Sequence, residues 1–326
     1  MKQLSVTGLF LNGAMMPKRQ QSAKKKQVRI KLPDPEPISF EPQEFRAKIR
    51  HLARPLWREL PWRNIHDAYR VWLSEVMLQQ TQVSRVLARW QLWLDRFPHI
   101  YELASASDAE VLEAWQGMGY NRRALALHET AQIIVRQYRG SFPHHHDELL
   151  KLPGIGPSTA AGIRVFAFDE PDIYLETNVR TVFIYELFPQ AAAVSDSALI
   201  PLIRATCPGA GEDIRSWYYA LLDYGSWLKH EGLNASQRSA GYVRQTPFEG
   251  SHRQKRAETV RILLAARKLG TLLDTQKIID LLIQEEITNG RPVPSREEAA
   301  DILSELEQEG FCTQTPYGWA VGREVQ

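Results

Sequence analysis

From Pro42 onward, apolar residues recur at three- and four-residue spacing, the period of helices that bury one face. The pattern predicts helices over 42–51, 67–97 (two helices meeting near Gln80), 108–115, 122–138, 147–152, 158–168, 178–188, 196–206 and 212–229. Three more follow at 254–269, 275–286 and 295–308. The period-two alternation of strands is seen only in "FCTQTPYGWAV", around Pro316, Tyr317 and Gly318, so the last three helices and a small hairpin read as a winged-helix-like module. The expected fold class is all-α.

Punctuation along the chain sets the expected domains. "KLPDPEPISF" carries three prolines, which places a boundary near residue 38. Residues 1–38 then form a basic arm, with Lys18, Arg19, Lys24, Lys25, Lys26, Arg29 and Lys31, able either to touch polyanions or to serve as a solvated tail. The Ser-, Asn-, Gly- and Gln-rich stretch 232–253 is the expected linker, and 254–326 the C-terminal module.

Composition narrows the class. The 326 residues are 44% hydrophobic with a formal charge of +2, enough for two or three domains with real cores. No run of eighteen apolar residues and no apolar leader with a small-residue cleavage site is seen, so an intracellular protein is expected, cytoplasmic and nucleoid-associated if bacterial. Cys207 and Cys312 are too few for a disulfide framework or a four-thiolate cluster. "HHHD" at 144–147 reads as a loop leading into a helix rather than a metal site.

Three stretches carry chemistry. In "VWLSEVMLQQTQV", 71–83, Glu75 is the lone acid, and Val71 and Leu78 lie one turn either side of it. Such surroundings raise a carboxyl pKa and keep its proton near neutrality. In "LETNVRTV", 175–182, Glu176 stands at a helix start, where amides and the positive dipole end favour its ionised form. In "LLKLPGIGPSTAAGI", 149–163, one helix turns through Gly154, Ile155 and Gly156 into another. The glycines permit close approach of a second backbone, and the free amides of the next helix favour a phosphate. Taken singly, each has a plainer structural account: Glu75 can reach a helix edge, Glu176 can merely support a cap at Asn178, and the turn can simply join two helices.

Together with "LPWR" at 60–63 and "GMGYNRRALALH" at 117–128, these stretches resemble, in order and spacing, the MutY-like adenine DNA glycosylase branch of the helix-hairpin-helix (HhH-GPD) superfamily. The similarity runs over roughly residues 45–230. It implies two helical lobes flanking a cleft: a six-helix barrel over 67–163, and a second lobe from 39–66 and 164–231. It also implies an extruded base in the cleft. Glu75 would protonate the departing base and Glu176 stabilise the sugar cation, two carboxylates driven to opposite roles. Gln79, Gln80 and Thr81 match the wedge that enters the base stack, and Trp62, Arg63, Ser158 and Asp223 match pocket positions. Tyr120, Asn121, Gly154, Ile155, Gly156, Ser158 and Thr159 match DNA-contacting ones. Outside this context Trp62 would be core, Arg63 and Asp223 a surface pair, and the glutamines a polar helix end.

The departures matter as much. Ser158 stands where endonuclease III relatives carry a Schiff-base lysine, which implies a monofunctional glycosylase, although a surface lysine could give weak lyase activity. Glu176 replaces the usual aspartate, and Asn121 replaces a second tyrosine. Lys229 occupies the first cluster-cysteine position, and no cysteine follows nearby, so no iron-sulfur cluster and no other cofactor is expected. A monovalent cation at the hairpin is the one ion this reading admits. The C-terminal module does not resemble the Nudix-like domain of MutY proteins. Its third helix is acidic, which disfavours groove reading and favours packing on the catalytic lobes or a protein partner.

The expected activity is excision of a base from duplex DNA in base excision repair, with adenine opposite 8-oxoguanine leading. Another damaged, deaminated or mismatched base remains open, as does a non-catalytic, structure-specific DNA-binding protein.

Overall fold

A computed structural model describes residues 34–323; the basic arm falls almost wholly outside this range. Fourteen α-helices and one two-stranded hairpin are present among the described residues. The first half holds α1 (Pro42–Ala53), α2 (Ala68–Leu78), α3 (Val83–Arg96), α4 (Ile100–Ser105), α5 (Asp108–Ala114), α6 (Arg122–Tyr138), α7 (His146–Leu149) and α8 (Pro157–Phe168). There follow α9 (Thr177–Leu187), α10 (Asp196–Thr206), α11 (Ile214–His230), α12 (His252–Lys268), α13 (Thr275–Thr288) and α14 (Arg296–Gln308), then β1 (Cys312–Thr315) and β2 (Gly318–Val321).

The helix starts follow local chemistry. Asp67, Ser107, Ser195, Asp213, Ser251, Asp274 and Ser295 each accept a backbone N–H with their side chains at an N-cap. Helix α4 is absent from the sequence expectation because it is barely more than one turn. Its signal is the Glu102 carboxylate reaching back to the His99 N–H at 3.1 Å.

The helices pack by the apolar faces that sequence periodicity marks. Helix α2 buries Val71, Trp72, Leu73, Val76 and Met77 and packs on α8; α11 packs on α9 and α1. Trp93 meets Trp115 at 5.5 Å and Phe97 at 5.0 Å, edge to face, an aromatic knot under α3. Helix α8 runs unbroken through residue 163, where a lobe boundary is expected. Part of the expected linker is packed. Ala235 and Ser236 are buried, and the Arg238 guanidinium donates to the carbonyls of Phe188 at 2.7 Å and Ala191 at 2.9 Å, tying this stretch to α9.

In the C-terminal module, Val260, Leu263, Ile278, Leu282, Ile302, Leu306 and Trp319 form the core beneath an antiparallel β1–β2 pair. The acidic residues of α14 face basic ones of α12: Glu298 takes Lys255 at 2.7 Å, and Glu305 takes Arg256 at 2.7 Å. The module contacts the lobes through Lys268–Glu113 at 3.0 Å and Arg122–Glu309 at 3.2 Å.

Candidate active site

Glu75 and Glu176 border the same two openings. One is a groove of about 1730 Å³ between the lobes and the C-terminal module; the other is a side cavity of about 370 Å³. The cavity lies at the lower end of the range for small-molecule sites, about 300–1,000 Å³, and has room for a nucleoside.

The Glu75 carboxyl, projecting from α2, lies against α8 at Gly162. A Cβ at Gly162 would stand 2.5 Å from Glu75 Oε2 and 3.0 Å from the Tyr174 ring, so only glycine admits this approach. Burial pushes the Glu75 carboxyl up to about 8, opposed by a hydrogen bond with Tyr174 and reinforced by the charge of Glu176. Tyr174 is itself buried, edge-on to Phe166 at 5.2 Å, and its phenol is raised well above the ordinary value by burial and by the two carboxylates. It therefore keeps its proton and serves Glu75 as a donor.

Glu176 is the N-cap of α9, accepting from Asn178 N at 2.6 Å and Val179 N at 2.9 Å. The sequence suggests that these amides would leave it readily ionised. In the structure burial outweighs them and raises Glu176 above the usual carboxylate value, while Lys229, the two amides and Arg180 pull it back. Lys229 and the two amides favour the ionised form of Glu176, whereas Glu75 has a single hydroxyl partner and faces the Glu176 charge.

Of the expected pocket residues, Trp62 and Arg63 line the small cavity, Ser158 lines the groove only, and Asp223 lines neither. Asp223 is buried behind the wall. Its carboxylate takes Arg63 Nη1 at 2.9 Å and Nη2 at 2.7 Å, and Arg58 Nε at 2.6 Å. This is a buried ion pair, not a surface one, and the Arg63 guanidinium is further held 4.7 Å from Trp57 and 4.6 Å from Tyr219.

The loop after α2 carries Gln79, Gln80 and Thr81. Gln79 Nε2 donates to Thr159 Oγ1 at 3.1 Å, joining this loop to the hairpin helix. Gln80 is exposed, with its backbone in the left-handed region at a φ of 51°. Its side chain accepts from Gln245 at 2.8 Å. Thr81 borders the small cavity rather than the groove. Nothing local in the sequence signals what holds this loop: the Arg123 guanidinium donates to the carbonyls of Val76 at 2.8 Å, Gln79 at 2.6 Å and Gly119 at 3.0 Å, and to Thr81 Oγ1 at 3.0 Å. One side chain thus caps the acid-bearing helix and ties it to the Gly117–Tyr120 turn. Tyr120 and Asn121 line the groove beside it.

The hairpin forms from α7 and α8. Gly154 has φ 73°, and a Cβ there would meet Ala126 at 2.8 Å; Ile155 is buried, and Gly156 and Ser158 face the groove with the first amides of α8. Tyr174, Gly162, Tyr219, Arg123 and Lys229 are the site residues that sequence reasoning missed or left without a place in the pocket. Only Gly162, an isolated glycine inside a helical pattern, carried a local signal.

The cysteines do not fit a four-thiolate cluster. Cys207 is placed against the Asp172 carbonyl at 3.7 Å, and Cys312 is buried in β1 of the C-terminal module. Among the described residues, no group of three or more His, Cys, Asp or Glu side chains is placed to hold a metal ion. The histidines of 144–147 are engaged locally: His144 stacks on Phe168 at 3.8 Å, and His146 takes Asp172 at 2.7 Å.

Residues 73–204 match the profile of the HhH-GPD superfamily of base excision DNA repair proteins. An adenine DNA glycosylase of Mycolicibacterium smegmatis is 41% identical over 172 residues, covering 52% of this chain and 57% of that protein. The adenine DNA glycosylase of Mycobacterium tuberculosis is 40% identical over 235 residues, covering 64% of this chain and 75% of that protein. The chain thus spans little over half the length of the Mycolicibacterium relative and three-quarters of the Mycobacterium one. Among solved structures, a thermostable thymine-DNA glycosylase overlays with a TM-score of 0.50 at 22% identity, covering 57% of this chain and 86% of that one, a likeness of fold.

Proposed function

Because the chain belongs to the HhH-GPD superfamily of base excision DNA repair proteins, we propose that it excises adenine from duplex DNA by hydrolysing the N-glycosidic bond of an extruded nucleotide. The observation that carries this reading is the carboxyl pair on one cavity. Glu75 is held protonated near neutrality by burial, and Glu176 is held by two amides at a helix start. Protonating the base turns it into a neutral leaving group, and the ionised partner offsets the positive charge that develops on the sugar.

The surrounding residues fit supporting roles. Trp62, Tyr174 and Tyr219 give the cavity flat apolar walls for a base, and Arg63, fixed on Asp223, stands in the same wall. The wedge at Gln79–Thr81, held by Arg123, fills the gap left in the stack, and the hairpin amides take a backbone phosphate. Ser158 offers no amine at the hairpin, so water is the acceptor of the sugar in base release. The chemistry requires neither an iron-sulfur cluster nor a metal. Duplex DNA with a mismatched or damaged base is the proposed partner, adenine opposite 8-oxoguanine the leading substrate, and a nucleoid-associated enzyme the corresponding cellular setting.

The test is single-turnover incubation with duplexes carrying adenine opposite 8-oxoguanine, guanine or thymine, then alkali to cleave abasic sites. Adenine release above the rate for an undamaged duplex is expected. Tight binding with no base release from any duplex would refute catalysis.

A further inference from the structure

On the wall that the C-terminal module gives to the groove, one cation is left without a carboxylate. Helix α12 is rich in basic residues, and its other lysines and arginines are spent inside the fold. Lys255 meets Glu298 at 2.7 Å, Arg256 meets Glu305 at 2.7 Å, Arg261 meets Glu285, and Arg267 and Lys268 share Glu113. Arg253, in the first turn, lines the groove and makes no ion pair among the described residues. Its Nη1 donates to the Tyr120 hydroxyl at 2.7 Å and its Nη2 to the Thr246 carbonyl at 2.9 Å, with the guanidinium 5.5 Å from the Tyr120 ring. Two neutral acceptors orient the fork without neutralising it, and its remaining N–H groups suit a bidentate anion.

The surroundings agree in charge and in place. The acids on the same wall are matched, Glu258 by Arg261, Glu309 by Arg256 at 2.7 Å and Glu249 by Arg291 at 3.8 Å. Arg253 therefore carries an unbalanced positive charge into an opening that the hairpin residues Gly156 and Ser158 line from the lobes. It also stands beside the wedge. Tyr120 belongs to the turn that Arg123 ties to the loop after α2, and Gln245, ahead of α12, donates to Gln80 at 2.8 Å.

We propose that Arg253 grips a backbone phosphate, making the C-terminal module a DNA-binding element that works through its first helix rather than its acidic third one. A duplex in the groove is then held from both walls, by the hairpin amides and by this guanidinium. A phosphate contact positions the duplex and carries no sequence information. The inference rests on the proposed DNA-binding groove, but it requires no base to be released.

The experiment measures binding of the full chain to an undamaged duplex over a range of salt. Each neutralised phosphate contributes about 0.9 to the slope of log K against log salt, so Arg253→Gln should flatten the slope by about 0.9 and weaken binding about eightfold near 0.1 M salt. The difference should close toward about 1 M salt. Arg253→Lys, which keeps the charge, should keep the slope. Arg261→Gln, on the same wall but paired with Glu258 and Glu285, should leave it unchanged. An unaltered slope in Arg253→Gln overturns the proposal. So does an equal flattening in Arg261→Gln, which would indicate a general field instead of a contact. On the unaltered protein, an arginine-specific dicarbonyl followed by peptide mass mapping reads the same contact: duplex should shield Arg253 and leave Arg267 reactive. Equal labelling of Arg253 with and without duplex overturns the proposal whether or not the variants fold. Absence of adenine release in the separate glycosylase assay, with the slope and the shielding as expected, would instead count against the excision reading.

Discussion

Replacing Glu75 with Gln separates what the acid does for chemistry from what it costs the fold. A carboxyl whose folded pKa is raised from 4.5 to about 8 binds its proton more tightly when folded. The penalty is therefore absent below the unfolded value, grows as pH rises through the interval, and is constant above the folded one. Full burial would correspond to about 1 kcal/mol at pH 5, about 3 kcal/mol at pH 7 and about 5 kcal/mol above pH 8, at about 1.4 kcal/mol per unit. Because the carboxyl also borders the open groove, solvent there reduces these figures, and about 2 kcal/mol at pH 7 is the working expectation. Glu75→Gln, neutral and nearly isosteric, removes this penalty. The variant should therefore be more stable than the parent, by a margin that widens from pH 5 to pH 8, while excision falls on the order of a thousandfold. Urea denaturation at pH 5, 6, 7 and 8, followed by tryptophan fluorescence, reads the first quantity, and single-turnover kinetics the second. A stability difference independent of pH, or a variant less stable throughout, would mean that Glu75 is already ionised at neutrality and the acid assignment is wrong.

Three further outcomes follow from the same geometry. Gly162→Ala puts a methyl where the Glu75 carboxyl lies; stability should stay within about 1 kcal/mol of the parent, since alanine favours the helix, while excision falls at least about tenfold in the single-turnover assay. Tyr174→Phe removes the hydrogen bond that lowers the Glu75 pKa, so the alkaline fall in the pH–rate profile, expected near pH 8 in the parent, should move to higher pH; a shift the other way would contradict the assigned donor. Asp223→Asn leaves the Arg63 guanidinium buried without its counter-charge and should cost about 3 kcal/mol in urea denaturation, whereas a loss under about 1 kcal/mol would show the pair to be solvated.

The helical pattern, the caps and the hairpin turn were legible in the sequence because each is set by residues within a few positions of one another. Asp67 and Ser295, read in the sequence as the first residues of helices, stand one position outside them as caps, and Gly154 turns the chain, for reasons their neighbours supply. Glu75 was legible too, as an acid whose helical neighbours are apolar, and so was Glu176 at a helix start, although it caps the helix itself instead of Asn178. Helix α4 escaped because little more than one turn cannot establish a period.

The sequence by itself determined which acid sits on a buried helix face and which at a helix start, since both depend on local backbone geometry. The tertiary structure decided the rest. Desolvation sums over atoms from every packed element, so only the assembled lobes show burial outweighing the amides at Glu176, Tyr174 holding Glu75 against Gly162, and Asp223 standing behind Arg63. For the same reason, Lys229 lines a cavity with Glu75 and Glu176 not through its neighbours in the chain but because α2, α9 and α11 close around one opening.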